Sequence, residues 1–183
     1  YFDLIQQTGL LDLNVPERRF VIQKYQEIRG KTHQPYAIFS PQNFSSYFTR
    51  VDYTKARGWQ AVGENSYNVA GDNFEQMLAV ARARTFVPYR QALLYHAWFY
   101  LHQWRKHPLN IGSYSVILPP DSRPPDFAMQ NEPAAHKLLD FLGDFYAYIG
   151  MRMTGFASIS CGGHKFHEYL MTELLRQQSQ DLS

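Results

Sequence analysis

The sequence is poor in the features that mark several large classes of protein. It has one cysteine, Cys161, so no internal disulfide can form and a reducing compartment is the simplest interpretation. It has no apolar run of 18 residues, so we expect no membrane span. Its net charge is only +2 and it has no run of five Lys or Arg, so we expect no nucleic-acid partner.

Aromatic residues, in contrast, are abundant. The chain has 13 Tyr, 13 Phe and 3 Trp, enough to line a core, a ligand channel or a partner surface. A length of 183 residues predicts one domain with a sizeable core. We predict a single unit over residues 1–177 and a polar tail at 178–183.

The hydrophobic pattern changes from strand-like to helix-like about a third of the way along the chain. Short β-rich runs at 19–25, 36–39 and 45–51 predict an antiparallel meander. Further on, strands are expected at 114–118 and 151–160, and helices from 72 or 73 to about 82, from 88 to 108, from 131 or 132 to 150, and from 164 to about 177. This order predicts an α+β fold, a two-layer sandwich of helices on a mostly antiparallel sheet, with a small helix-containing insert at about 87–118.

One predicted helix carries a polar face that suits a metal ion. His136 and Asp140 are four residues apart and therefore share a face, and both are good zinc ligands. Asp144 follows one turn later and could orient a ligand or a catalytic group. Leu138 and Phe141 begin a separate apolar stripe toward the core. The alternative is a solvated helix face with a weak His–Asp pair.

Two further segments contain polar residues that are suited to catalysis. Gly162 and Gly163 allow a sharp turn that leaves His164 at a helix N-terminus, where a carboxylate such as Asp144 would be needed to keep the ring protonated. A charged His164 could then stabilise an oxyanion or protonate a leaving amine. Thr85, at the end of another helix, could donate to the same oxyanion. The alternatives are capping or surface histidines and an ordinary basic helix end.

Read together and in order, these segments resemble the second domain of the zinc-dependent UDP-3-O-acyl-N-acetylglucosamine deacetylases of lipid A synthesis. The matching residues are 83–86 (Ala-Arg-Thr-Phe), 136–144 (His-Lys-Leu-Leu-Asp-Phe-Leu-Gly-Asp), Gly155 and 163–164 (Gly-His). The resemblance covers roughly residues 3–176. Each motif is weak alone, but the ordered set is specific.

The resemblance implies a role for seven residues. His136 and Asp140 would be two of three zinc ligands, and Asp144 with His164 would form the charged pair that assists the oxyanion and the leaving group. The resemblance also implies that Thr85 hydrogen-bonds the oxyanion, that Lys137 contacts substrate and that Phe86 forms a wall of the substrate passage.

The departures from the family are equally informative. The family's first domain supplies the third zinc histidine and an adjacent glutamate base, but no Glu-His dipeptide occurs in the 183 residues given. The insert carries a bulky run at 95–104 where the family has a small glycine-rich turn, so it could fill the acyl passage or form a partner surface. His167 replaces the usual asparagine and is a candidate for the missing ligand.

Three functional hypotheses remain open from the sequence. The first is half of a zinc-dependent deacetylase that needs a first-domain-bearing chain or a larger assembly and acts on a nucleotide-sugar lipid precursor. The second is a non-catalytic accessory or structural subunit derived from the deacetylase. The third is a module that binds a nucleotide sugar or an acyl chain without cleaving it. The family implies a cytoplasmic location, and an organelle interior is the alternative if Tyr1 marks a processed terminus.

Overall fold

The protein consists of a layer of helices on a mixed sheet, joined to a small strand–helix–strand insert. The computed structural model describes residues 17–30, 35–101, 115–121 and 123–181. The strands are β1 Arg19–Val21, β2 Gln26–Arg29, β3 Tyr36–Ser40, β4 Ser45–Asp52, β5 Glu64–Ala70, β6 Thr85–Pro88, β7 Ser115–Leu118 and β8 Arg152–Ser160. The helices are α1 Phe74–Arg82, α2 Tyr89–Leu101, α3 Glu132–Ile149 and α4 His164–Asp181, with a short 3₁₀ turn at Gln60–Val62. The α+β prediction is therefore confirmed.

The main sheet is organised around β8 rather than as a meander. Its order is β2-β3-β8-β4-β5, with β1 also pairing with β8. The pairs β2–β3, β3–β8 and β4–β5 are antiparallel, whereas β1–β8 and β4–β8 are parallel. The predicted meander was wrong because the late strand β8, buried along most of its length, inserts between β3 and β4.

Gly155 lies at the point where β8 changes its partner on one edge from β1 to β3. Met153 and Thr154 pair with β1, and Phe156 pairs with Ser40 of β3. At Gly155 the backbone has φ +134°, and a Cβ there would lie 2.8 Å from the side chain of Ile22. A side chain at this position would therefore prevent both the backbone geometry and the close approach.

Three local predictions needed correction. The expected strand at 19–25 is two short strands, β1 and β2, which pair with different neighbours. β5 was not predicted, because only Val69 of its seven residues is buried and its apolar signal is weak. Thr85 does not end a helix but opens β6, since α1 ends at Arg82.

Three helices cover the main sheet and bury its larger apolar cluster. α3 contacts β4 and β5 and packs between α1 and α4. Its buried stripe includes Leu138, Phe141 and Phe145, as predicted, and α4 adds Leu170 and Leu174. α3 ends at Gly150 in a left-handed cap, also as predicted. α4 runs four residues beyond its predicted end, to Asp181.

The insert packs against the edge of the main fold. β6 and β7 pair in parallel, and α2 contacts both strands. Phe86, Val116 and Leu118 share a buried apolar cluster with Val51 of β4 and Ala134 of α3. Leu93, Leu94, Tyr95 and Trp98 on α2 are at least half exposed. The predicted end of this helix near Pro108, together with Trp104, lies outside the described residues. Among the described helices, none has the length and apolar character needed to cross a membrane.

Candidate metal and acid–base site

The polar face of α3 holds His136 in a fixed orientation. His136 Nδ1 lies 3.1 Å from the carbonyl oxygen of Ala83, at the end of α1. Because a carbonyl oxygen only accepts, Nδ1 must carry the proton, which leaves a lone pair on Nε2. Nε2 lies 3.4 Å from Asp140 Oδ1, and both side chains are mostly buried. A ring held by a backbone carbonyl through one nitrogen and free at the other is the arrangement typical of a metal-ligating histidine.

The spacing within this pair suits two ligands of one ion. In tetrahedral zinc sites, ligand atoms about 2.0–2.1 Å from the ion lie roughly 3.3 Å from each other. The separation of 3.4 Å between His136 Nε2 and Asp140 Oδ1 is close to that value and longer than a good hydrogen bond. Within the described residues, however, no third His, Cys, Asp or Glu joins these two. The two residues therefore fit zinc as two ligands of a site.

Lys137 and Phe86 lie beside this pair. Lys137 Nζ donates to Asp140 Oδ2 at 2.7 Å and lies 6.0 Å from the centre of the Phe86 ring. The lysine uses one carboxylate oxygen of Asp140, so Oδ1 stays available to a metal. Phe86 is buried and packs edge-on against His136, Tyr53 and Trp59, and the rings of Tyr53 and Trp59 stack on each other. This aromatic cluster forms an apolar wall next to the charged residues.

Tyr53 shows that the wall and the polar face adjoin. Burial raises the pKa of its hydroxyl, and the nearby Cys161 and Asp140 raise it further. Thr85, the remaining predicted residue of this region, is exposed at the start of β6 immediately before Phe86. The structure therefore brings Phe86, His136, Lys137 and Asp140 together on the first half of α3, and Thr85 is next to Phe86 in β6.

An ion pair that was not predicted from the sequence fixes this region. Glu132, only 1% exposed, accepts from the guanidinium of Arg84 and from the backbone N–H groups of Arg84 and Ala128. Burial alone would raise the pKa of Glu132, but these hydrogen bonds outweigh it and lower that pKa. The pair ties the strand that carries Thr85 and Phe86 to the first turn of α3. The sequence contains a glutamate at the start of α3 and an arginine directly before β6, but the two are 48 residues apart. Only the tertiary fold brings them together.

The second polar cluster lies one turn further along α3. Asp144 Oδ2 is 2.7 Å from His164 Nδ1 and 2.7 Å from His167 Nδ1, so a single oxygen accepts from two imidazoles. His164 opens α4 and its side chain is 69% exposed, whereas His167 is fully buried. Burial lowers the pKa of His167, although Asp144 opposes this effect. The structure thus brings Asp144 and His164 together as the sequence suggested and adds His167.

The distances in this second cluster are those of hydrogen bonds. Asp144, His164 and His167 offer three ligand atoms that lie within 4.8 Å of one another. The two separations of 2.7 Å are nevertheless shorter than the roughly 3.3 Å expected between zinc ligands. His167 also has no nitrogen directed at His136 and Asp140, because Nδ1 faces Asp144 and Nε2 is buried against Gly162. This orientation argues against His167 as the missing third ligand.

Together, these features define a two-layer α+β domain that presents a histidine–carboxylate pair with ligand-like spacing beside a carboxylate–imidazole cluster. A family model for LpxC, UDP-3-O-acyl N-acetylglycosamine deacetylase, matches residues 1–176, so the chain belongs to that family. It is 26% identical over 182 residues to the UDP-3-O-acyl-N-acetylglucosamine deacetylase of Campylobacter jejuni RM1221 and 25% identical over 183 residues to that of Campylobacter lari. Each match covers 96% of this chain and 56% of the relative. The chain therefore spans about half the length of the curated relatives it matches.

Proposed function

We propose that this chain supplies half of a zinc-dependent deacetylase that acts on UDP-3-O-acyl-N-acetylglucosamine and requires a first domain from elsewhere. The observation that carries the proposal is the 3.4 Å spacing of His136 Nε2 and Asp140 Oδ1, with His136 Nδ1 held by Ala83. Zinc bound there would supply the Lewis acidity that makes water a nucleophile at neutral pH. The first domain would supply the third ligand and the general base.

The acid–base work is assigned to Asp144 and His164. Since Nδ1 of His164 is directed at Asp144, Nε2 is the nitrogen left to act on substrate. The carboxylate offsets the helix N-terminus, which disfavours a charged ring, so His164 can hold a proton at Nε2. From there it donates a hydrogen bond to the developing oxyanion and then passes the proton to the leaving amine.

Three other residues bind and orient the substrate in this proposal. The exposed hydroxyl of Thr85 donates to the oxyanion, and the ammonium of Lys137 contacts the polar part of a nucleotide-sugar lipid precursor. Phe86, backed by Tyr53 and Trp59, forms an apolar wall that excludes water from one side of the reacting amide. All three side chains belong to the described part of the chain.

Reconstitution tests this proposal directly. The chain is mixed with a separately produced family first domain that carries the Glu-His pair, and amine release from UDP-3-O-acyl-N-acetylglucosamine is measured with added zinc. We expect activity only in the mixture, and its loss in His136→Ala and Asp140→Ala. His96→Ala is the matched control, because His96 is an exposed histidine on α2 outside the site. A well-folded mixture in which the chain binds the first domain yet releases no amine would contradict the proposal.

The second candidate is a non-catalytic accessory subunit, and the exposed face of α2 favours it. Leu93, Leu94 and Trp98 are each at least half exposed, which is unusual for large apolar residues on one short helix. In that case, a chain with His136 and Asp140 both changed to alanine would still assemble with its partners at wild-type yield. Loss of a cellular deacetylation on the same double substitution would exclude this candidate.

A further inference from the structure

His167 is a buried imidazole that the proposed reaction does not use. It lies on the inner face of α4, one turn after His164, and its ring packs edge-on against Phe141 at 5.6 Å. Nδ1 lies 2.7 Å from Asp144 Oδ2. Nε2 is also buried, and it has no hydrogen-bond partner among the described residues. A fully buried polar atom without a partner is uncommon and calls for a physical explanation.

The surroundings of the ring determine which nitrogen carries the proton. The carboxylate of Asp144 accepts hydrogen bonds, so Nδ1 of His167 must donate. Burial lowers the pKa of His167 despite the adjacent carboxylate, and the ring is therefore neutral near pH 7. Nε2 is then a bare acceptor packed against Gly162, where even a Cβ on that glycine would come within 2.7 Å. His167 is held in a single tautomer and a single orientation.

The same carboxylate oxygen serves both histidines, but the two contacts differ in strength. The side chain of His164 is 69% exposed. In an exposed His–Asp contact, screening by water and the entropy cost of ordering the side chains offset most of the attraction. The contact from His167 is shielded from water, so it is the stronger constraint on Asp144. Without it, Asp144, itself partly exposed, would be free to turn toward solvent.

An apolar side chain would fill the space of His167 without leaving a buried acceptor unsatisfied. The imidazole therefore offers only one contact that such a side chain lacks, the Nδ1–H donated to Asp144. We propose that His167 is a positioning residue, whose buried Nδ1–H directs the Asp144 carboxylate at His164 and so fixes which nitrogen of His164 faces the reaction. The contact between His167 and Asp144 is observed in the structure. Its effect on catalysis rests on the proposed deacetylase function.

Histidine-ring NMR of the purified chain tests the proposal without metal, substrate or first domain. Long-range ¹H–¹⁵N spectra distinguish the two neutral tautomers of each ring. Above the titration range of histidine, we expect His167 and His164 to be mainly Nδ1–H, whereas a free imidazole prefers Nε2–H. Observation of His167 as the Nε2–H tautomer would overturn the proposal at once.

Two substitutions separate orientation from packing. His167→Asn keeps an N–H donor at the position of Nδ1, so His164 should stay mainly Nδ1–H. His167→Leu removes the donor while it keeps the bulk, so His164 should shift to the Nε2–H form of a free imidazole. Unfolding curves show that each variant is folded before its spectra are compared. An unchanged His164 tautomer in the folded leucine variant would contradict the proposal, as would its loss in the folded asparagine variant.

The reconstituted mixture gives a second measurement. A positioning role predicts that His167→Leu lowers kcat roughly tenfold or more with little change in KM, because the residue does not touch substrate, and that His167→Asn restores most of the rate. Equal activity of the leucine variant would refute the catalytic consequence. If the mixture has no activity, only the deacetylase function fails, since the tautomer measurement still decides the orienting contact.

Discussion

At the scale of the residue, the three histidines of the site share one feature. Each directs Nδ1 at an oxygen: His136 at the carbonyl of Ala83, and His164 and His167 at Asp144. The nitrogen that remains differs in its surroundings, facing Asp140 for His136 and packing against Gly162 for His167. The second nitrogens of identical side chains therefore have different environments, which suits them to the separate roles proposed above.

Gly162 provides a prediction at this scale. In Gly162→Ala, the new Cβ would lie 2.7 Å from His167 Nε2 and 2.7 Å from Ile159, so the buried ring must move. We expect the free energy of unfolding to fall by about 1–3 kcal/mol, the usual cost of overpacking. Gly163→Ala is the control, since no atom of the described residues would lie within 4 Å of the new Cβ. Urea unfolding of both variants measures the difference, and equal stabilities would contradict the packing described for His167.

The sequence predicted the residue-scale site in part. The i, i+4 spacing on a helix placed His136 and Asp140 on one face, because helical periodicity is a local property. It also suggested that Asp144 would meet His164, although 20 residues separate them. The buried state of His167 and its contact with Asp144 depend on how α4 packs against α3, which no local pattern specifies.

At the scale of the element, the Arg84–Glu132 pair attaches β6 to the start of α3. Glu132→Gln would leave the partly buried guanidinium of Arg84 without its counter-charge and disturb the alignment of Ala83 with His136. We expect a loss of about 3–5 kcal/mol in the free energy of unfolding, as for other broken buried pairs. Denaturant titration of the purified variant gives this value.

The control for this substitution is Glu173→Gln. Glu173 pairs with Arg176 within α4, and both side chains reach solvent. An exposed pair of this kind contributes about 0–1 kcal/mol. If the two variants lose equal stability, β6 is not held to α3 by the buried pair.

The elements were easier to predict than their arrangement. The helices α1 and α3 were predicted from their apolar spacing and their caps, and the structure confirms the Asn73 cap and the Gly150 end. The order of the strands in the sheet was not predicted, because β8 pairs with β3 and β4, which precede it by more than a hundred residues. Strand pairing at such separation depends on the tertiary fold rather than on any run of residues.

At the scale of the whole molecule, two buried groups predict a two-step loss of stability in acid. The pKa of His167 is lowered from 6.5, so the unfolded chain binds more protons as the pH falls below about 6.5, and stability declines there. The pKa of Glu132 is lowered from 4.5, so its contribution, present above about pH 4.5, is lost at lower pH. Urea unfolding from pH 8 to 3.5 should show both steps.

Two substitutions show which residue causes each step in the pH dependence of stability. His167→Asn cannot titrate and should flatten the step below pH 6.5, and Glu132→Gln should flatten only the lower one. A stability that rises as the pH falls from 7 to 5.5 would contradict the buried neutral state of His167.

The described residues contain two of the ligands in the proposed metal site. His136 and Asp140 have ligand-like spacing, yet no third ligand joins them among the described residues, and the chain spans 56% of the relatives' length. The sequence analysis expected a missing third ligand because the chain has no Glu-His dipeptide, and this expectation stays a prediction.

The most direct test is the zinc content of the chain alone and in complex with a first domain, after mild chelation and buffer exchange. We predict well under one zinc per chain alone and close to one per complex, lost in His136→Ala and Asp140→Ala but kept in His96→Ala. Full zinc on the chain alone that survives both substitutions, or a complex without zinc, would contradict the account that His136 and Asp140 form half of a shared metal site.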